Sequence, residues 1–329
     1  MYQILNPLDI FTLDILSFKK YKYIPITKSM NILNFINFKN YYCQLDSNFQ
    51  IILKSKIKNY SKIARKLKIS SNTISRILNL EDYWINFSTL FSFSTYVGIK
   101  KKEVFLHIKK VKTKNSFPID FQIKNLISPA FFRVIGHILG DGGIHVLRDE
   151  GKYRAFYVNN EHNLLDSFSN DIIYLFGKVQ TYKRTREKHG DEIWLPTTIG
   201  YLLYEILNYK KTKDKRVPNF ILKTKNPKLI GPFLQALYDD DGYLYPRKNM
   251  IVFSQKRRKL LEEIRKVIEN IGIIPNKILV HNAKNRTRMY YFSITSRENI
   301  LKFSELVGFK HPIKNNKLQL LVEKYGGRL

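Results

Sequence analysis

Val134-Ile-Gly-His-Ile-Leu-Gly-Asp-Gly142 and Leu234-Gln-Ala-Leu-Tyr-Asp-Asp-Asp-Gly242 lie one hundred residues apart and end alike. Each is a short apolar stretch with a small residue at its third position, closed by Asp-Gly. Asp141 and Asp241 hold the same place in two copies of one unit. Gly136 and Gly140 are four residues apart and so share one helix face. Ala236 is the matching small residue of the second stretch. Small residues on one face let two helix backbones approach closely. The spacing predicts two helices packed on each other, ending together where Asp141 and Asp241 emerge. Gly142 and Gly242 are read as the left-handed residues that end those helices.

A carboxylate in the last turn of a helix faces the negative end of the dipole, and two side by side repel. A cation resolves both problems. Mg²⁺ binds carboxylates, water and phosphate oxygens. It can polarise a phosphodiester and help generate hydroxide. The expected cofactor is Mg²⁺, for which Mn²⁺ could substitute. A single Asp-Gly is most often a turn; two in register within a duplicated unit point to a site.

The chain has 57 Lys and Arg against 27 Asp and Glu in 329 residues, a net charge of +30. That surplus calls for a polyanion, nucleic acid before anionic membrane. With 44% hydrophobic and 14% aromatic residues, the chain builds a core and is no basic tail. Its length suits two or three domains. The single cysteine, Cys43, excludes internal disulfides and cysteine-rich zinc sites, and fits a reducing, cytoplasmic location. There is no apolar run of about 18 residues to span a membrane and no signal-peptide pattern. No phosphate-loop motif is present. Asp239-Asp-Asp-Gly242 is not a calcium loop, because Tyr243 and Met250 stand at ligand positions. The expected partner is double-stranded DNA, with no membrane and no small-molecule substrate.

Residues 1–46 show no clear period and are left unassigned. Residues 47–112 read as short helices, near Phe49–Asn59, Ser61–Leu67, Asn72–Leu78, Trp84–Tyr96 and Lys102–Lys110, with Ser61 and Ser71 as N-caps. A turn at Lys68–Ser71 makes the middle pair a helix–turn–helix, a DNA-binding domain whose second helix enters the major groove. That helix offers Asn72, Thr73, Ser75 and Arg76 to bases or phosphates; the alternative is an ordinary helical bundle. Residues 113–128 read as a linker. Beyond it the chain repeats itself: motif helix, strands, charged amphipathic helix, strands. The first copy has strands at Tyr153–Val158 and Ile193–Thr197 around a helix Leu164–Phe176 ended by Gly177. The second has a strand at Met250–Ser254 and a helix Leu260–Ile271 ended by Gly272. Further strands fall at Val280 and Tyr290–Thr295, before a Ser296-capped helix ended by Gly308.

Over roughly Pro129–Leu329 these features resemble the LAGLIDADG homing endonucleases. The second copy keeps Leu234, Leu237, Asp239, Asp241 and Gly242 of the family's signature; the first keeps Gly136 and the Leu-Gly-Asp-Gly ending common in archaeal members. Phe253-Ser-Gln-Lys256 and Ser296–His311 also look like later parts of such enzymes. The resemblance implies an α+β fold of two pseudo-symmetric αββαββα repeats, about 129–222 and 223–329. Their saddle-shaped antiparallel sheets would lie in the major groove, behind a small all-α helix–turn–helix domain similar to the Cro/repressor class. It implies double-strand cleavage with divalent metal at Asp141 and Asp241, with Gly140 and Asp240 in the metal-binding set. Lys215, before Val217-Pro218, matches a lysine that serves the active site in intein-type members; its alternative role is phosphate binding. Gln255 matches a polar position that places water, with Asn160 as its first-copy counterpart.

Asp240 departs from the family, standing where a small residue faces the partner helix; either packing is looser there or Asp240 turns outward. His137 is read as a tolerated surface or core residue and Tyr238 as core. Basic stretches carrying Lys183, Arg184 and Arg186, Lys256 and Arg257, and Arg286 and Arg288 are expected to bind DNA. The internal pseudo-twofold lets a monomer meet both strands. Starting at Met1 and ending Gly-Gly-Arg-Leu329, without an intein's splicing ends, the chain reads as free-standing. Two other functions stay open: a non-catalytic DNA-binding regulator on the same scaffold, and an intron RNA maturase.

Overall fold

The computed structural model describes residues 36–114, 116–147, 151–186, 190–209, 215–282 and 288–326. Arg286 and the side chain of Arg186 lie outside the described residues, as does most of the unassigned segment 1–46.

The first described unit holds strands β1 (Tyr41–Leu45), β2 (Ile85–Asn86), β3 (Ile108–Thr113) and β4 (Ile119–Asp120), in the antiparallel order β2-β1-β3-β4. Helices α1 (Ser47–Ser55), α2 (Tyr60–Leu67), α3 (Ser71–Asn79), α4 (Phe87–Tyr96) and α5 (Lys101–Leu106) fall between them. The helices stand close to where the sequence puts them, but the segment is not all-α. The missed strand β1 is buried at four of its five residues, so it shows no alternation to read. The expected linker is structured too. It carries β4, and Thr198 Oγ1 donates to Phe117 O at 3.1 Å while Thr198 N–H donates to Ser116 Oγ. The helix caps also shift. Asn59 accepts from Lys62 N–H and Ser70 from Thr73 N–H, in place of Ser61 and Ser71. Lys68, at φ 54, makes the left-handed turn between α2 and α3.

The first repeat runs α6 (Pro129–Leu139), β5 (Gly143–Leu147), β6 (Lys152–Asn159), α7 (His162–Phe176), β7 (Tyr182–Arg186), β8 (Gly190–Trp194) and α8 (Thr197–Ile206). A short helix, α9 (Asn219–Leu222), leads to the second. That repeat runs α10 (Pro227–Asp241), β9 (Gly242–Tyr245), β10 (Met250–Gln255), α11 (Arg258–Glu269), β11 (Leu279–Asn282), β12 (Arg288–Ile294) and α12 (Arg297–Leu306), followed by α13 (Pro312–Lys324). Both are αββαββα. Their sheets have the same antiparallel order, β5-β6-β8-β7 and β9-β10-β12-β11. Helices end at Gly177, Gly272 and Gly308, which take φ of +74, +79 and +61. The final strand of the first copy stops at Trp194, because Pro196 N-caps α8 at Thr197.

The motif helices α6 and α10 form the axis of the core. From Val134 to Leu139 every residue of α6 is buried, as expected for a helix covered on all sides. The first unit docks on α8: the Tyr41 and Tyr201 rings lie 5.2 Å apart, and Asn40 Nδ2 donates to Tyr201 Oη at 3.0 Å. Arg133 reaches from α6 to Asp171 of α7 with two hydrogen bonds of 2.6 and 2.8 Å.

Candidate active site at the junction of the repeats

The close approach expected from Gly136 and Ala236 is present. A Cβ at Gly136 would lie 2.5 Å from Phe233 O and 2.7 Å from Ala236 Cβ. Gly142 and Gly242 are needed for a different reason from the one the sequence suggests. Neither is left-handed. A Cβ at Gly142 would meet His137 O and Phe156 O, both at 2.7 Å; at Gly242 it would meet Tyr238 O at 2.7 Å. Each glycine lets a strand leave directly from the end of a motif helix.

Asp141 and Asp241 stand at those two exits, Asp141 exposed and Asp241 half-buried. Partial burial, then the charge of Asp240, lifts the Asp141 carboxyl to about 6. Burial, then the charges of Asp141 and Asp240, lifts Asp241 to about 7. Asp241 therefore feels the charge of Asp141, and each carboxyl is costly to ionise where it stands. Gln255 Nε2 donates to Asp241 Oδ2 at 2.5 Å. The matching amide in the first repeat is Asn159, whose Nδ2 lies 3.4 Å from Asp141 Oδ2. Strand register explains why it is not Asn160. Gly143 pairs with Phe156, which sets Gly142 opposite Tyr157, whereas Gly242 pairs with Phe253. Tyr157 is thus the equivalent of Phe253, and Asn159 of Gln255. Asn160 is exposed beyond the strand end.

Lys215 lies at this junction, and its Nζ donates to Leu139, Gly140 and Gly142 carbonyls at 3.2, 3.0 and 2.8 Å. An ammonium has three donors, so all are spent on the end of α6. Burial pulls Lys215 down to about 8, against the opposing pull of Asp241. Lys314 of α13, which the sequence gives no reason to single out, does the same for α10, donating to Tyr238 O at 3.0 Å and to Asp239 O. Both lysines neutralise the negative end of a motif helix. Asp239 is structural: it accepts from Lys310 and His311 N–H, both at 3.0 Å, ahead of α13.

Asp240 neither turns outward nor loosens the packing. Its side chain is fully buried in the helix interface and so is not open to a metal ion from solvent. It accepts from Tyr157 O–H at 2.8 Å and Asp141 N–H at 3.3 Å, and faces His137 Nδ1 at 3.1 Å. Burial pushes it up to about 8, while those hydrogen bonds pull it down. His137 is a core residue held down to about 4 by burial. Gly140 offers only its carbonyl, already bound to Lys215. Among the described residues no three His, Cys, Asp or Glu side chains are arranged to hold a metal ion.

Strand alternation sorts the basic residues. His145, Arg154, Trp194, Tyr182 and Arg184 share one face of the first sheet, opposite the helices. Lys183 pairs with the buried Ile193 and falls on the helix side. Arg288, paired with Asn282, also falls on the helix side of its sheet, while Tyr291 and Ser254 share the open one. Lys256 is exposed and Arg257 half-buried just past β10. In α3, Asn72 and Arg76 are exposed and Thr73 and Ser75 half-buried, so the second helix of the turn motif does present these four residues outward or at its margin. No helix among the described residues is long and apolar enough to cross a membrane.

Residues 229–308 match the family model of the LAGLIDADG-like domain. The chain is 21% identical over 316 residues to the isomerizing glutamine–fructose-6-phosphate aminotransferase of Methanocaldococcus jannaschii, covering 89% of this chain and 27% of that protein. It is 23% identical over 191 residues to the replication factor C small subunit of the same organism, covering 57% of this chain and 10% of that protein. The chain thus spans only a minor part of the curated relatives it matches. Among solved structures, the homing endonuclease I-DmoI in complex with DNA and calcium is similar at 19% identity and a TM-score of 0.45, covering 59% of this chain and 98% of that one.

Proposed function

We propose that this protein is a site-specific DNA endonuclease that cuts both strands with a divalent metal held by Asp141 and Asp241. The observation that carries the reading is the junction itself: helices packed through Gly136 and Ala236 end together, Asp141 N–H reaching Asp240 of the other helix at 3.3 Å, with Asp241 next along that helix and within reach of the Asp141 charge. The donor set fits a hard cation. The neighbouring lysines donate to main-chain carbonyls, so the two carboxylates stay available to a cation. Mg²⁺ takes one or two carboxylates and completes its shell with water and phosphate oxygens. When bound, the metal, Mg²⁺ or Mn²⁺, supplies Lewis-acid activation of the phosphodiester and of water. Gln255 fixes the rotamer of Asp241, and Asn159 leans on Asp141. Lys215 and Lys314 hold the helix ends that carry the two acids.

Arg154 and Arg184 on the open face of the first sheet would lie along phosphates, with salt-dependent affinity. That face continues into a cleft lined by Lys39, Lys114, Phe117 and Tyr182, so the first unit extends the basic surface. Asn72, Thr73, Ser75 and Arg76 of α3 add target contacts in the manner of a helix–turn–helix. The named relatives have unrelated duties, and each is matched over only part of its length. That pattern suits a mobile module better than a part of either relative's own activity.

The test is cleavage of plasmid DNA carrying the joined genomic sequences that flank the gene, with and without Mg²⁺. The wild type should linearise it. Asp141→Asn and Asp241→Asn should bind the same DNA and leave it intact. Specific binding without cleavage by the wild type at any metal concentration would replace the nuclease reading with that of a DNA-binding regulator. The donors of Lys215, spent wholly on carbonyls, favour that second reading.

A further inference from the structure

The two halves of the site are not alike. Around Asp141 runs a part-buried polar chain: Asn159 Nδ2 donates to the Tyr157 hydroxyl at 3.1 Å, and that hydroxyl donates to Asp240 at 2.8 Å. Asn159 in turn reaches Asp141 Oδ2, and Asp240 closes the loop by accepting Asp141 N–H. His137 Nδ1 packs on the same carboxylate, and its buried Nε2 has no partner among the described residues. The pseudo-twofold puts Leu237, Phe253 and Gly140 at the places of His137, Tyr157 and Asp240. Around Asp241 the matching chain therefore cannot form. Asp241 is held by the direct Gln255 bond.

Burying an acid and an imidazole in the helix interface and a phenol on the strand beside it, where the other half has Gly, Leu and Phe, carries a cost that the hydrogen bonds offset only in part. Here the network is built around one acid only. Resting on the nuclease reading above, we propose that Asp240 and Tyr157 are positioning residues for Asp141 alone. The two half-sites then depend on different supports, and the DNA strands respond differently when one support is removed. Tyr157 touches neither DNA nor the reacting atoms. It acts by holding Asn159 and, through Asp240, the main chain of Asp141.

The experiment uses the full chain and its duplex target, each strand labelled separately, with Mg²⁺. Tyr157→Phe keeps the ring and removes one hydroxyl. The ratio of the two strand-cutting rates should change about tenfold from that of the wild type, one lost buried hydrogen bond being worth about that much. Nicked circles should accumulate on supercoiled substrate. Asp240→Asn, of equal size, should shift the ratio in the same direction. A purely structural role would slow both strands together and leave the ratio fixed, which overturns the proposal. Unchanged rates on both strands overturn it as well, and so does the loss of folding in both variants, read by circular dichroism. A wild type that cuts neither strand defeats the nuclease reading itself, a result distinct from an unchanged ratio.

Discussion

Placing a methyl group at residue 136 tests the helix junction most directly. The added Cβ of Gly136→Ala would lie 2.5 Å from Phe233 O and 2.7 Å from Ala236 Cβ. Unstrained carbon contacts lie at about 3.5–4.0 Å, so the helices must part by roughly 1 Å. Overpacking of this kind costs about 1–3 kcal/mol. For a unit of this size that lowers the melting temperature by roughly 2–12 °C. The shift also moves Asp141 relative to Asp241, and a displacement of about 1 Å at a reacting centre can cost roughly a hundredfold in rate. The assay is thermal unfolding beside DNA cleavage. The double variant Gly136→Ala/Ala236→Gly relieves the methyl–methyl contact but not the one with the Phe233 carbonyl, so it should recover stability only in part. A Gly136→Ala protein melting within 1 °C of wild type and cutting at full rate would refute the packing argument.

Two further predictions follow from buried charge. Asp171→Ala leaves Arg133 unpaired in a mostly buried place and should lower stability by about 3–5 kcal/mol; urea unfolding reads this, and the apolar double variant Arg133→Met/Asp171→Leu should regain most of it. The second concerns pH. Asp141 and Asp239 are lifted to about 6, Asp241 and Glu205 to about 7, and Asp240 to about 8, in each case chiefly by burial. A carboxyl whose folded value is raised holds its proton more tightly folded than unfolded, so its contribution is complete below about pH 4 and lost as pH rises through the folded value. Metal-free protein should therefore lose stability between pH 5 and 8. Binding of Mg²⁺ favours the ionised acids, so it should raise the melting temperature far more at pH 8 than at pH 5.5. Stability that climbs from pH 5 to 8 without metal would break this reasoning.

What the sequence could show was whatever repeats or has a period. The twin Asp-Gly endings, the apolar stripe of α11 with Leu261, Ile264, Val267 and Ile268 buried, and the glycines after the amphipathic helices each follow from local geometry, and the structure has them. Strand β1 escaped because tertiary cover on both sides erases alternation. Asn159 and Asn160 are adjacent amides in the sequence, and only strand pairing sets Asn159 at the place of Gln255. Lys183 and Arg184 look interchangeable in sequence, yet adjacent strand residues face opposite ways.

Lys314 and the buried contacts of Asp240 were not legible for a deeper reason, and both bear on the cation site proposed above. Lys314 is one charge among many on a basic chain, and nothing local tells a lysine that caps a helix from one in solvent. Once placed, it and Lys215 answer the carbonyl ends of α10 and α6. The helix dipoles are then largely cancelled by protein, but the carboxylates are not. Lys215 is drawn toward the deprotonated form by burial, so it cannot discharge two acids as well as three carbonyls. Asp240 worsens the balance by placing a third acid beneath the pair. A site meant only to bind DNA phosphates would gain nothing from negative charge gathered at its centre. Under the nuclease reading the same charge would be an asset, because Asp141 and Asp241 would hold the divalent ion that activates the phosphodiester.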